Sequence, residues 1–136
     1  MPGLRVVTTL VGVSSFADLS SIGPQQIWDT VVVRAVHGDR TTLGVVELEP
    51  DSVVPEHSHE NEQLGMVISG SVTFRVGDES KELGPGGIWV IPANAPHEVR
   101  TGHEGAVVLD VFAPTRSDWD ALETLAPRAP LWPDSV

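Results

Sequence analysis

The most informative stretch of the sequence is Pro55-Glu56-His57-Ser58-His59-Glu60-Asn61-Glu62-Gln63. In an extended strand, residues two apart point to the same face, so His57 and His59 direct two imidazoles at one point. Gln63 follows four residues later, where a turn brings its amide oxygen back towards that point. Because neutral imidazoles suit first-row divalent metals, the stretch predicts part of a metal site. A surface coincidence of the two histidines is the plainer alternative.

A third imidazole is available from His97, far along the chain after a turn with two prolines. It reaches the pair if its strand faces theirs, and we expect it to complete a three-histidine set. The remaining histidines behave differently. His37 and His103 lie in turns beside glycine and are predicted to be solvated.

The composition excludes several classes of function. The 136 residues are the size of one domain, predicted over 1–136, and carry 8 basic and 19 acidic residues, a net charge of -11. This charge argues against nucleic acid and anionic membrane surfaces as partners. Cysteine is absent, so a metal site must use imidazole and oxygen ligands. No apolar stretch reaches the length of a transmembrane helix and no targeting segment is evident, so a cytoplasmic protein is expected.

Short β-branched runs alternate with glycine and proline turn signals along most of the chain, which is typical of an antiparallel sandwich or barrel. Helices are predicted at 14–21 and, with Ser117 as its cap, at 117–125. The proline-rich tail, 126–136, is expected to lie as an extended strap on the surface. The predicted strands are 27–36, 41–48, 53–54, 63–68, 72–76, 79–83, 88–91, 97–101 and 106–112.

Residues 51–70 resemble the first of two sequence motifs of the cupin superfamily, G-x5-H-x-H-x3,4-E-x6-G. His57, His59 and Gly70 stand at the matching spacing. Two positions depart from the motif: Asp51 replaces the leading glycine, and Gln63 replaces the glutamate.

Residues 86–101 resemble the second motif, G-x5-P-x-G-x2-H-x3-N. Gly86, Pro92 and His97 match it, while Asn94 replaces a glycine and Thr101 replaces the final asparagine. Asparagine at the glycine position is a mild change because it tolerates a left-handed turn.

The resemblance implies an all-β fold, a cupin jelly-roll β-barrel with a short C-terminal helix, and a homodimer paired through N-terminal strands. It also implies a divalent transition metal held by His57, His59, Gln63 and His97. Nickel, zinc, manganese, iron and cobalt all fit these ligands. With Gln63 in place of glutamate the ligand set is neutral, which leaves the metal a stronger Lewis acid. The alternative is that Gln63 is a spacer.

The last predicted strand carries Asp110 in an otherwise apolar run. An ionised carboxylate is costly to bury unless it is paired or hydrogen-bonded. By alternation Asp110 shares a face with Phe112, and if that face lines the barrel, the carboxylate lies beside the metal. Arg116 is then placed to fold over the mouth as a clamp for an anionic substrate. The alternative is a structural ion pair between Asp110 and Arg116 at the rim.

The segment 110–119 also resembles one cupin subgroup, the pectin-degradation cupins, which open the ring of 4,5-unsaturated uronates. The resemblance assigns catalytic roles to Asp110, Phe112 and Arg116 and implies a non-oxidative lyase or isomerase acting on a small oxygenated molecule. Three alternatives stay open: a polyketide cyclase or an enzyme resembling hydroxynitrile lyases, a non-catalytic metal- or ligand-binding module, and a dioxygenase. The charge of -11 opposes an anionic substrate at long range, so the site itself must reverse the sign.

Overall fold

A computed structural model describes residues 15–133, and these form an antiparallel β fold. The main sheet has the strand order β1-β2-β3-β8-β5-β6, with β4 paired to β8 and β7 paired to β5. The all-β prediction is therefore confirmed. The strands are β1 (Gln25–Trp28), β2 (Val31–His37), β3 (Thr42–Leu48), β4 (Val53–His57), β5 (Glu62–Val76), β6 (Glu79–Leu83), β7 (Ile88–Ile91) and β8 (His97–Ala113).

Strands β5 and β8 are longer than the sequence predicts, because each joins two of the predicted runs. The predicted breaks are bends, at Gly70 and Gly105, both with positive φ. A Cβ on Gly70 would lie 2.0 Å from the carbonyl oxygen of Gly105, so only glycine permits this close crossing. The bend lets the two strands pair along both of their halves. The predicted strand 27–36 is instead divided between β1 and β2.

The four glycine positions of the two motifs keep a left-handed backbone even where glycine is replaced. The φ angles are 56° at Asp51, 77° at Gly70, 89° at Gly86 and 65° at Asn94. Aspartate and asparagine are among the non-glycine residues that tolerate this region. Asp51 and Asn94 therefore keep the backbone turns that glycine would give on either side of the predicted metal ligands.

The interior of the fold is apolar. Alternate side chains of β2 and β3 point inward, including Val33, Ala35 and Val46, and pack against Val67 of β5 and Val108 of β8. The intervening side chains of β2 and β3 point outward, so Arg34 and Glu47 lie on the opposite face.

The predicted helix 117–125 is a five-residue 3₁₀ helix, Ser117–Ala121, with Trp119 buried. Ser117 does not cap it. The chain beyond it pairs with β1 instead, since the Gln26 N–H donates to the Glu123 carbonyl at 3.1 Å. This competing pairing explains the shortened helix. Within the predicted helix 14–21, Leu19–Ser21 forms a 3₁₀ turn, and residue 14 lies outside the described residues.

The proline-rich tail lies on the outer face of β2 and β3. Glu47 accepts a hydrogen bond from Arg34 Nη1 at 2.8 Å and one from the Leu131 N–H at 2.9 Å. Arg34 also donates to the Arg128 carbonyl at 2.7 Å, so a buried ion pair holds the tail to the sheet. Residues 1–14 and 134–136 lie outside the described range. In the part of the chain described, no helix is long and apolar enough to span a bilayer.

Candidate metal centre and cavity

Three histidines meet at one end of the barrel. His57 ends β4 and pairs in register with His97 at the start of β8, while His59 lies in the loop that follows β4. The ring centroids of His57 and His59 lie 4.3 and 4.9 Å from that of His97. One ring nitrogen from each histidine lies within 4.8 Å of the others, an arrangement that can hold a metal ion.

The backbone orients each imidazole in the same way. The Nδ1 atoms of His57 and His97 lie 2.9 Å from the carbonyl oxygens of Pro55 and Ala95, two residues earlier, and that of His59 lies 2.9 Å from Asn61 O. A carbonyl only accepts hydrogen bonds, so each neutral ring carries its proton on Nδ1. The lone pair of each Nε2 is therefore left for a ligand, the tautomer that metal-binding histidines need.

The electrostatic surroundings keep His59 and His97 neutral. Burial lowers the pKa of His97 to about 4, with smaller contributions from His57 and His59, against the hydrogen bond to the Ala95 carbonyl. Burial, followed by the positive charge of Arg116, also lowers the pKa of His59. At neutral pH both rings therefore present lone pairs instead of positive charge.

Gln63 faces the histidines from the first residues of β5. Its Oε1 lies 3.1 Å from His59 Nε2, and its Nε2 donates to Asp110 Oδ1 at 2.9 Å. The bond to the carboxylate fixes the orientation of the amide, so two lone pairs, on His59 Nε2 and Gln63 Oε1, point at each other. A cation between them removes this repulsion. The buried Nε2 of His97, which has no hydrogen-bond partner in the described structure, needs such a ligand too. The residues present thus fit a divalent metal.

Asp110 is buried beside this centre. Its Oδ1 accepts hydrogen bonds from Gln63 Nε2 and from Trp89 Nε1, the latter at 2.9 Å. Burial raises the pKa of the Asp110 carboxyl to about 6, against these two hydrogen bonds, which lower it. Gly65 makes the arrangement possible, because a Cβ there would lie 2.2 Å from Trp89 Nε1 and 2.3 Å from Asp110 Oδ1.

Arg116 lines the same cavity but makes its ion pair with Asp118. Its Nε and Nη2 donate to the two carboxylate oxygens at 3.0 and 2.9 Å. The guanidinium carbon lies 4.8 Å from the ring centroid of Phe112 and 4.4 Å from that of Trp119. Among the described residues Arg116 therefore does not pair with Asp110. That direct ion pair was one of the two sequence-based alternatives.

Two buried polar residues hold the loop that carries Arg116. Asn61 Nδ2 donates to the carbonyl oxygens of Pro114 and Thr115, at 2.6 and 3.2 Å. The Arg116 N–H donates to Thr42 Oγ1, which lies 2.8 Å from His37 Nδ1.

The prediction that His37 is solvated is wrong. The side chain points inward from the end of β2, where Thr42 provides a polar partner, and it is buried. His103, by contrast, is 96% exposed, as expected.

A cavity of about 220 Å³ opens beside the histidines. All seven residues predicted for the site line it: His57, His59, Gln63, His97, Asp110, Phe112 and Arg116. Its remaining walls are largely apolar and include Ile27, Trp28, Val54, Phe74 and Leu122. A polar centre at one end and apolar walls elsewhere suit a small molecule with one oxygen-bearing end.

Sequence reasoning missed the roles of Trp89 and Asn61. Trp89 packs in the core, where it stacks on Phe74 with centroids 4.5 Å apart, and its indole N–H also holds Asp110. Neither contact has a local signal in the sequence, because each partner lies more than twenty residues away along the chain.

Comparison with known families agrees with this geometry. The cupin domain family matches residues 44–112, about half of the chain. The chain belongs to the cupin family. The matched region runs from β3 to β8 and contains both motifs and all three clustered histidines.

Relatives of this cupin include enzymes. The chain is 30% identical over 84 residues to the H2HPP isomerase of Bacillus subtilis, a match that covers 60% of this chain and 35% of that protein. The matched segment thus spans about a third of that relative. The structure of KdgF from Halomonas sp. superposes with a TM-score of 0.71 at 25% identity, covering 78% of this chain and 98% of KdgF. An RmlC-like cupin from Shewanella frigidimarina NCIMB 400 superposes with a TM-score of 0.72 at 18% identity, covering 78% and 96%, and shows the shared fold.

Proposed function

We propose that this cupin is a metal-dependent, non-oxidative isomerase or lyase acting on a small oxygenated molecule. One observation carries the proposal: the amide of Gln63 links the three-histidine centre to the buried carboxyl of Asp110. A site for a Lewis acid and a group that exchanges protons near neutral pH therefore lie side by side. The similarity to an isomerase and to KdgF supports the same class of activity.

In this proposal the metal ligands are His57, His59, His97 and Gln63. When bound there, a divalent metal would supply a Lewis acid for a hydroxyl or carbonyl oxygen of the substrate. The carbonyl partners of the three Nδ1 atoms keep the rings aimed at the centre without movement during the reaction.

Asp110 is the proposed proton carrier. Both of its described hydrogen bonds end on Oδ1, so Oδ2 is the oxygen assigned to the substrate. Oδ2 accepts a proton from one position of the substrate and returns it at another, so no electrons are gained or lost. In the metal-free protein burial raises the pKa of this carboxyl to about 6, closer to neutral pH than the ordinary value of an aspartate. Phe112 and Arg116 position the substrate at the cavity wall.

The first substrate to test is 4,5-unsaturated galacturonate, followed through its enol absorbance with metal-loaded protein. We expect Asp110→Asn to slow the reaction by about 10²- to 10⁴-fold, the usual share of a general acid–base group. Asp120→Asn, which removes the same charge from an exposed neighbour, should leave the rate unchanged. If the wild type causes no loss of the enol absorbance, this substrate is rejected. Equal rates for the wild type and Asp110→Asn would reject the role of Asp110.

A second candidate is a metal-assisted cyclase or condensing enzyme, which the apolar walls around Phe74 and Phe112 favour. Incubation with a linear poly-β-ketone and analysis of ring formation by mass spectrometry tests it. A purely structural metal module is disfavoured because an open cavity adjoins the ligands.

A further inference from the structure

The cavity has room for a ring. At about 220 Å³ it exceeds the roughly 150 Å³ that suffices for benzene, so one six-membered ring with small substituents fits inside it. Ile27, Trp28 and Leu122 form part of the wall, and none of them offers a charged group. A ring bound there is therefore surrounded mostly by apolar atoms once its polar end reaches the histidines.

The positive charge at the cavity is already balanced by a carboxylate. Among the described lining residues, Arg116 is the one arginine or lysine, and two of its three guanidinium nitrogens are bonded to Asp118. The ring faces of Phe112 and Trp119 hold the guanidinium in place. A substrate carboxylate can still reach the Nη1 edge of Arg116, but it meets a guanidinium whose charge Asp118 already balances, and it lies beside the Asp118 carboxylate.

The geometry points to a specificity that deepens the proposed function and rests on it. The substrate is an amphipathic, ring-sized molecule with one oxygen-bearing end for the metal centre and an uncharged body for the apolar walls. On this inference 4,5-unsaturated galacturonate, an anion with a hydroxylated ring, is a poorer substrate than an uncharged ring compound. Asp118 is the specificity-determining residue, because its carboxylate balances the charge of Arg116 and so weakens the attraction of the cavity for anionic groups on that body. This removes the conflict with the net charge of -11, since the body of the substrate need not be an anion.

Binding of hydroxamates to zinc-loaded protein, measured by isothermal titration calorimetry, tests both parts without turnover. Acetohydroxamate and benzohydroxamate share the metal-binding group and differ in the ring. We expect the ring to tighten binding by about tenfold, because it buries apolar surface against the walls. Equal affinities would overturn the apolar-body part of the inference.

The charge part uses two ligands of equal shape, the 4-carbamoyl and 4-carboxy derivatives of benzohydroxamate. We expect the carboxy compound to bind wild type about tenfold more weakly, because its second charge faces Asp118 and Asp110. Asp118→Asn should recover most of this loss by freeing Arg116, whereas Asp120→Asn, in the same 3₁₀ helix, should not.

Three results would contradict the role of Asp118. The first is that the wild type binds the carboxy compound as tightly as the carbamoyl compound. The second is that Asp118→Asn recovers no affinity for the carboxy compound. The third is that both variants recover it equally, which would indicate an effect of long-range charge alone. The proposed function fails separately. If acetohydroxamate itself does not bind zinc-loaded protein, the metal centre is wrong, and the inference built on it is rejected too.

Discussion

Gln63 connects the histidine centre to Asp110 through a single amide group. Its oxygen lies 3.1 Å from His59 Nε2, and its nitrogen lies 2.9 Å from Asp110 Oδ1. A glutamate at this position would place a second carboxylate against Asp110 and would have no N–H to donate to it. The departure from the usual motif therefore has a structural consequence: glutamine allows a buried carboxyl to lie next to the ligands.

The metal centre predicts a clear effect of His97→Ala. Since His97 Nε2 is buried, unpaired in the described structure and within reach of the other two imidazoles, we expect the variant to bind zinc at least about tenfold more weakly. Metal content after dialysis, measured by inductively coupled plasma mass spectrometry, checks this. His103→Ala is the matched control, because that ring is 96% exposed. Equal metal content in the His97 variant and the wild type would show that the three-histidine site is wrong.

Asp110 predicts a pH dependence of stability in metal-free protein. Its pKa is raised in the folded state, from 3.8 to about 6, so the folded protein holds this proton more tightly than the unfolded chain does. The tightly held proton of Asp110 therefore contributes its full stabilisation below pH 4, and this contribution is lost as the pH rises through 6. The loss amounts to about 3 kcal/mol.

Asp110→Asn should remove that loss, since asparagine retains an Oδ1 that accepts from Gln63 and Trp89 without carrying charge. Urea unfolding should then show the variant gaining more over wild type at pH 8 than at pH 5. Asp120→Asn serves as the exposed control and should give the same difference at both pH values. The same pH dependence of the unfolding free energy in the two variants would show that ionisation of Asp110 does not destabilise the fold.

Gly65 predicts a steric effect. A methyl group there collides with Trp89 Nε1 and Asp110 Oδ1, so Gly65→Ala should lower the free energy of unfolding by about 1–3 kcal/mol. Gly84→Ala is the control, because a Cβ at that position meets no atom within 4 Å. Chemical denaturation measures both variants. Similar stability for the two would indicate that Trp89 and Asp110 move apart readily.

Asn61 predicts a change in the loop that carries Arg116. Asn61→Ala removes the side-chain amide that donates to the carbonyls of Pro114 and Thr115, so we expect a loss of about 1–3 kcal/mol in unfolding free energy. The Arg116 amide, which donates to Thr42, should also exchange its hydrogen faster by NMR. Glu62→Ala, an exposed neighbour, should change neither quantity. Unchanged exchange at Arg116 in the Asn61 variant would show that Thr42 alone holds the loop.

The local pattern of the sequence, together with its resemblance to the cupin motifs, was enough to predict the fold class and seven of the residues that line the cavity. Alternation places His57 and His59 on one face, and the turn-forming residues Asp51 and Asn94 keep the backbone that glycine would give. These features depend on neighbours close in the chain, so they are visible in one dimension. The helix 117–125 was the least accurate prediction, because pairing of Glu123 with β1 overrides a helical pattern of modest strength.

The partners of the polar groups were decided by the tertiary structure alone. The two sequence-based alternatives paired Arg116 with a substrate or with Asp110, yet in the structure it binds Asp118. The carboxyl of Asp110 is held instead by Trp89 and Gln63. His37 was expected in water and lies buried against Thr42. The sequence alone determined which side chains of a predicted strand share a face, since strand periodicity sets their direction. Which interior groups touch depends on how β5, β7 and β8 are brought into register, and that register is a property of the folded sheet.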